Sequence, residues 1–535
     1  MLLRSKPAST YWWFGLLLLA MPFALGTWPV MGAPAGGTPS AAASPTSPTC
    51  FGFQDEPASA GNPLARHRSA MTPKATDDLD GLGTLTHYEI TASVDLAALT
   101  LRGQATVSYT NRTPAVLSDL VFRLYANAPQ LYGHGRLNVL SVEVAGQPAR
   151  FELALDDTAL RVPLSVPLPP GEVVTTTLRF EAAIPQHDVE GYGIFNYAHG
   201  VLALGGWYPL LAVYDRGGWI VPPVPQVGDA VTSEVALYDV ALTVPVGVEV
   251  VASGRLVDVI EGDGTRTWRF VTGPMRDFAA AGSDRFRRAQ TQVGATTINF
   301  YYTPAVGDLL SAQALLDIAA GALAVFNERF GPYPYQELDV VETDIRIGGY
   351  EYPGLVFVDA ALRRGRRRAD VEFLVAHEVA HQWWYGVVGN DVVAEPWLDE
   401  ALAVYSTALY VEATEGPPAA LRLLTYWDHN YVPDVGRHAV DSSALNYTNW
   451  VPYRSNVYYA GALFLDSLRS EIGDDAFFRL LRQHYHQARY RMATTGTFLT
   501  LAEKAADRDL DALYQHWFTA WADSTVTSTA QYKWL

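Results

Sequence analysis

The run His377-Glu378-Val379-Ala380-His381 constrains this chain more than any other feature of its sequence. Two imidazoles four residues apart point the same way on an α-helix, where such positions differ by about 40° around the axis. A free carboxylate, Glu378, stands beside the first of them. After eighteen intervening residues comes Glu400, within Trp397-Leu398-Asp399-Glu400. For that carboxylate to meet the two rings, a second helix has to return against the first. The flanking residues agree with this. Val371, Phe373, Leu374 and Val375 are apolar, and no Pro or Gly lies between Gly365 and Gly386. Leu402, Val404, Tyr405, Ala408 and Leu409 then form a second apolar, helix-compatible run behind Pro396, which suits a helix entry.

These side chains make a metal-ligand set. Two histidines and one carboxylate leave a fourth tetrahedral position open, which is how a catalytic zinc ion is held. A structural zinc normally takes four protein ligands, often cysteines, and this chain has the single cysteine Cys50. A solvated helix with two surface histidines would account for the His spacing alone, but not for a carboxylate at a usable distance. The candidates are therefore His377, His381 and Glu400 as ligands of one Zn2+, with Glu378 as the group that accepts and returns a proton. Asp399 has two open roles, as partner to a ligand histidine or as a helix cap.

The stretches HEVAHQWWYG and WLDEALA resemble the gluzincin zinc metallopeptidases, the family of aminopeptidase N and leukotriene hydrolase. Gly348-Gly349-Tyr350-Glu351-Tyr352 is similar to that family's G-x-M-E-N signature, with Tyr350 in place of Met and Tyr352 in place of Asn. The resemblance implies that Glu351 binds the free α-amino group of a substrate, with Gly348, Gly349 and Tyr350 beside it. Tyr458-Tyr459-Ala460-Gly461 is similar to Y-x-K-G, with Ala460 in place of Lys, and the resemblance gives Tyr458 the role of stabilising the tetrahedral intermediate. On the residues alone, 348–354 also reads as a turn ahead of the apolar run 355–358, and Tyr458 as one packed aromatic among 29 tyrosines. Phe330-Gly331-Pro332-Tyr333-Pro334-Tyr335 and Gly206-Trp207-Tyr208-Pro209 extend the likeness from about residue 85 to the C-terminus.

With 535 residues, the chain calls for two or three domains. Its net charge of -18 disfavours nucleic acid as a partner, because phosphates would be repelled. Arg4 and Lys6 precede an apolar run over 11–25, so residues 1–33 read as a signal peptide or an N-terminal membrane anchor. Residues 34–80 are rich in Pro, Ala and Ser and read as a flexible linker, with Cys50 a lone linker cysteine. Period-two alternation at Tyr88, Ile90, Ala92 and Val94, at Ala105, Val107 and Tyr109, and at Val240, Leu242 and Val244 predicts half-buried antiparallel strands in a β-rich domain over 81–290. Residues 291–535 read as a small sheet followed by helices. The expected class is α+β multidomain. The resemblance makes the two parts a saddle-like N-terminal domain and a thermolysin-like catalytic domain, with the family's large C-terminal helical domain absent or reduced. The arginine run Arg363-Arg364-Gly365-Arg366-Arg367-Arg368 reads as a solvated loop ahead of the motif helix.

The expected function is zinc-dependent hydrolysis of peptide bonds, removing N-terminal residues from peptides with a free N-terminus. The expected place is outside the cytoplasm, either secreted or attached to the membrane through the N-terminal segment. A zinc endopeptidase or an epoxide hydrolase on the same scaffold stays open. So does a protein of another class, a catalytically silent surface-binding module, although such a module has no need to keep Glu378.

Overall fold

Alternating apolar residues build the first half of the molecule and helical spacing builds the second. The computed structural model describes residues 64–518, apart from Arg216, Val306 and 432–438. The apolar N-terminal segment, Cys50 and the linker up to residue 63 lie outside the described residues. Among the described residues no helix is long and apolar enough to cross a membrane.

An eight-stranded sheet dominates the first half. Its centre is Thr86–Asp95, flanked by Thr100–Thr110 on one side and Ala236–Pro245 on the other. The inward residues Tyr88, Ile90, Ala105, Val107, Val240, Leu242 and Val244 are all buried, as the alternation predicts. Two features differ from the antiparallel, half-buried expectation. Thr86–Asp95 and Ala236–Pro245 run parallel. Ala236–Pro245 is also buried on both faces over most of its length, and Asp239 on its second face is 0% exposed.

The cover on that second face includes a segment expected to be loose. The linker assigned to 34–80 ends earlier than its composition implies. From Leu64 the chain is packed, with His67, Ala70, Met71, Ala75 and Leu79 buried. The amide of Thr72 donates to the Pro334 carbonyl at 2.8 Å, and Gln336 donates to Ala70 at 3.0 Å. Apolar side chains at 70, 71, 75 and 79 give this strap enough burial to outweigh its polar composition.

A five-stranded sheet opens the second half, in the order Arg287–Val293, Thr296–Tyr302, Glu337–Thr343, Leu355–Asp359 and Gly349–Tyr352. Helix Ala312–Arg329 buries Leu315, Ile318, Ala322, Leu323 and Phe326, as their spacing requires, and the Ser311 hydroxyl caps its N-terminus. The motif helix Arg368–Ala380 and the longer helix Trp397–Glu415 follow, and further helices continue to Asp511–Trp517.

The arginine run is not a solvated loop throughout. Arg363 is 3% exposed. It pairs with Glu342, reaches Asp308 at 2.8 Å and lies over the Tyr302 ring. Arg367 and Arg368 pair with Asp370 and Glu372, at 2.7 and 2.8 Å. Carboxylates from two distant segments neutralise Arg363, and neighbours on the motif helix pair with Arg367 and Arg368.

Arg276 ties the strand-rich half to the helical half. It is 1% exposed, and its guanidinium donates to the carbonyls of Ser233 at 2.7 Å, Tyr385 at 2.7 Å and Arg491 at 2.6 Å. Burial lowers its pKa to about 10, so it stays charged at neutral pH. A Cβ on Gly389 would lie 2.1 Å from the Arg276 Cζ, so only glycine leaves room for the guanidinium. Replacing Arg276 with Met strands three buried carbonyls. We expect a loss of at least about 3 kcal/mol, measured by urea unfolding, with Gly389→Ala destabilising in the same direction.

Candidate metal centre and substrate cleft

The motif helix delivers His377 and Glu378 within its last turn, and His381 caps its C-terminus. Glu400 lies in the first turn of helix Trp397–Glu415. Two aromatic hydrogen bonds align these elements. The His381 Nδ1 lies 3.0 Å from the Trp384 carbonyl. A carbonyl only accepts, so Nδ1 carries the proton and Nε2 presents its lone pair to the site. The Trp384 indole then donates to the Ser406 hydroxyl on the second helix at 3.0 Å. Tyr385, next in the chain, has a backbone φ of 113°, rare for a residue with a side chain. Arg276 holds that turn through the Tyr385 carbonyl.

Three ligand atoms converge. His377 Nε2 and His381 Nε2 lie 3.1 Å apart, and Glu400 Oε2 is 3.3 and 3.4 Å from them. A tetrahedral zinc with bonds of about 2.0–2.1 Å spaces its ligand atoms by about 3.3–3.4 Å. Glu400 Oε2 is buried and accepts no hydrogen bond. The residues therefore fit the ion. Burial alone would raise the Glu400 carboxyl, but the His377 and His381 rings that face it hold it well below the usual carboxylate range.

Glu378 is 4% exposed, and its Oε2 has no partner. Burial pushes its pKa well above the usual range, and the neighbouring Glu351 charge adds to this. It lies against Gly349, where a Cβ would come within 2.3 Å of Glu378 Oε1. Gly349 thus keeps the space that the carboxylate occupies.

Glu351 stands on the edge strand Gly349–Tyr352, which turns back at Pro353-Gly354 to pair with Leu355–Asp359. The 348–354 segment is therefore a strand and its turn, not a turn alone. Gln382, just past the motif helix, fastens this hairpin: its Oε1 accepts from the Gly354 amide at 2.8 Å and its Nε2 donates to the Tyr352 carbonyl at 3.1 Å. Burial lifts Glu351 to about 7, against the lowering effect of His381. Strand alternation puts Gly349 and Glu351 on one face and Tyr350 and Tyr352 on the other. Tyr350, expected beside the substrate, is 2% exposed and packs on Tyr352 with ring centroids 4.9 Å apart. It backs the strand instead. Gly348, with φ of 102°, leads into the strand, and a Cβ there would strike Leu374.

Tyr458 lies in a wide, π-helical turn over Arg454–Ala460, the kind of helical irregularity often found at functional sites. Its hydroxyl donates to Glu400 Oε1 at 2.5 Å, and its ring stacks on His377. Asp399 accepts from the Glu400 amide at 2.9 Å, while its other oxygen has no partner and neither does His377 Nδ1. Its contact is thus that of the helix's first turn, not of a partner to a ligand ring.

Sequence reading missed one carboxylate. Asp229 comes from the irregular segment 220–235 of the strand-rich half and lies close enough to Glu351 and Glu400 for their charges to act on it. Burial, followed by the charge of Glu351, pushes its pKa well up. A single Asp among Pro222, Pro223, Pro225 and Gly228 carries no motif. Gln382 was equally silent, although it follows His381 directly.

The comparisons agree with this geometry. Residues 314–517 match the Peptidase family M1 domain. Aminopeptidase M1-B of Oryza sativa subsp. japonica is 26% identical over 232 residues, which span 40% of this chain and 26% of that protein. Human aminopeptidase B is 27% identical over 36% of this chain and 34% of its own length. The chain therefore aligns with only about a quarter to a third of these relatives. The M1 zinc metallopeptidase of Deinococcus radiodurans superposes with a TM-score of 0.61 at 23% identity, covering 79% of this chain and 90% of that one. That likeness is one of fold. Residues 314–517 are thus similar to the M1 peptidases, gluzincin metallopeptidases of the aminopeptidase N type, and the ligand triangle within them fits Zn2+.

Gly349→Ala should drive Glu378 from its place while sparing the ligands. We expect kcat to fall by about 100-fold with bound zinc unchanged, measured by steady-state kinetics beside metal analysis.

Proposed function

We propose that this protein is a zinc aminopeptidase that releases N-terminal residues from peptides. The observation that carries the reading is the pairing of Glu351 with Asp229 immediately beside the ligand triangle. Adjacent buried carboxylates repel one another and favour a cation between them. A protonated α-amino group supplies that cation and puts the first peptide bond in register with the metal.

His377, His381 and Glu400 would hold the ion. Zn2+ bound there supplies Lewis-acid chemistry, lowering the pKa of water from about 15.7 toward 7 and polarising the scissile carbonyl. Glu378 takes a proton from the attacking water and hands it to the leaving amine, a task suited to a carboxyl whose pKa is raised. The Tyr458 hydroxyl donates to the carbonyl oxygen as negative charge develops there, an interaction worth about 3 kcal/mol for a well-placed donor. A mutant of the Deinococcus metallopeptidase has been solved with a Tyr-Ser-Ala substrate, and a mutant of a two-domain M1 zinc metallopeptidase with L-tryptophan, which supports peptides as the substrate class here.

Four measurements test this. Glu378→Gln should fold and bind zinc yet lose at least about 1000-fold in turnover, and retained activity would remove Glu378 from its role. Aminoacyl arylamides should be cleaved and their N-acetylated forms should not; equal rates would make the protein an endopeptidase. Asp229→Asn should raise KM for free-amine substrates by about 10-fold or more, with a smaller change in kcat. Chelation should abolish activity, and added Zn2+ should restore it.

The same reading extends to location. Arg4 and Lys6 ahead of the apolar run over 11–25 support export, with the N-terminal segment either cleaved or retained as an anchor. Fractionation with N-terminal sequencing tests this, and recovery of the intact chain only in the cytosol would overturn it.

A further inference from the structure

A second convergence of ligand atoms lies away from the motif helix, where the N-terminal strap crosses the large sheet. His67, in the short helix Ala65–Arg68, is 2% exposed. His87 begins the exposed-face row of strand Thr86–Asp95. The parallel register sets Glu89 opposite Asp239, so His87, two residues back on the same face, reaches that aspartate. One ring nitrogen of each histidine and an oxygen of Asp239 lie within 4.8 Å of one another.

The hydrogen bonds fix which atoms face inward. His67 Nδ1 lies 2.8 Å from the Thr272 carbonyl, so Nδ1 carries a proton and Nε2 is the atom left to face the site. That Nε2 points at Asp239 Oδ2 from 3.4 Å. A lone pair facing a carboxylate oxygen is repulsive unless a proton or a metal ion lies between them. His87 Nε2 lies 2.6 Å from the same oxygen, a hydrogen-bond distance that an ion would have to open to about 3.3 Å. The other oxygen, Oδ1, is buried and has no hydrogen-bond partner, although Asp239 is 0% exposed. A carboxylate this deeply buried needs compensation for both oxygens. The surrounding charges are Arg66, whose guanidinium touches Oδ2 at 3.0 Å, and Glu89, 3.9 Å from His87 Nδ1.

We propose that His67, His87 and Asp239 form a second divalent-metal site, suited to a borderline ion such as Zn2+, that fastens the N-terminal strap to the sheet. The protein donors are two imidazoles and a carboxylate, one fewer than a structural zinc normally takes, so a water would complete the site, and the backbone carbonyl of Thr272 orients one ring as such carbonyls do around bound zinc. Arg66 competes with the ion for the carboxylate. The role is structural: the site ties residues preceding the first long strand to strand Ala236–Pro245, and no group of the cleft takes part.

The test is metal stoichiometry on the full chain, equilibrated with zinc sulfate and desalted. Wild type should hold about two zinc ions and His87→Gln about one, with peptidase activity within about 2-fold of wild type. Arg66→Ala supplies a readout that an ion-pair network would not give. Removing the competing cation should tighten the second zinc by about 10-fold or more in a chelator competition, and should leave thermal stability in zinc unchanged or higher. One zinc in both wild type and His87→Gln would overturn the proposal. So would an Arg66→Ala protein that binds zinc no more tightly and melts lower, since that is the behaviour of a purely ionic clasp. Circular dichroism of each variant shows whether the fold is kept, and the Arg66→Ala comparison stands if His87→Gln does not fold.

Discussion

Negative charge buried without a matching cation governs the centre of this protein. Asp229, Glu351, Glu378, Asp399 and Glu400 crowd around two imidazoles, and each of them feels the others' charge. A cluster of this kind is costly in a low-dielectric interior unless positive charge enters it. Two positive groups of the proposed reaction meet that need, the zinc ion at the ligand triangle and the substrate amine between Glu351 and Asp229. Repulsion among these carboxylates favours cations in those two places.

Such a site has to be held rigidly, because like charges tend to spread apart. The holding groups are neutral or cationic and lie just behind the ligands. Trp384 couples the end of the motif helix to the helix bearing Glu400 through Ser406. Gln382 couples the same helix end to the strand bearing Glu351. Arg276 reaches across from the strand-rich half to the turn at Tyr385, where the backbone adopts a φ of 113°. Strain of that size persists only where the surroundings over-determine it. The residues 381–385 therefore act as a hub: one supplies a ligand and its neighbours fix the other parts of the site.

The strand-rich half contributes chemistry as well as support. It carries Asp229 into the cleft and buries Arg276 against the helical half. Its large sheet is covered on its second face by the strap from Leu64 onward, which explains why strand Ala236–Pro245 is buried on both sides. Asp239 is the price of that cover, a charged group with no water around it, and the two histidines gathered there answer it in part.

Local pattern alone determined the helix pair, the ligands His377, His381 and Glu400, and the placing of Glu378, because ligand spacing on a helix is a property of a few consecutive residues. It also determined the strands at 88–94, 105–109 and 240–244, since burial of one sheet face imposes a period of two. Tertiary structure decided what no short window contains. Asp229 and Glu351 are 122 positions apart and meet only when the two halves pack. Tyr350 left the cleft because the 349–352 segment became a strand and alternation turned it away. Arg363 was neutralised by Asp308 and Glu342, and the strap was ordered by surfaces distant in sequence. Compensation of charge and coverage of apolar faces depend on partners brought together through space, so a linear reading sees the groups that need partners but not the partners that serve them.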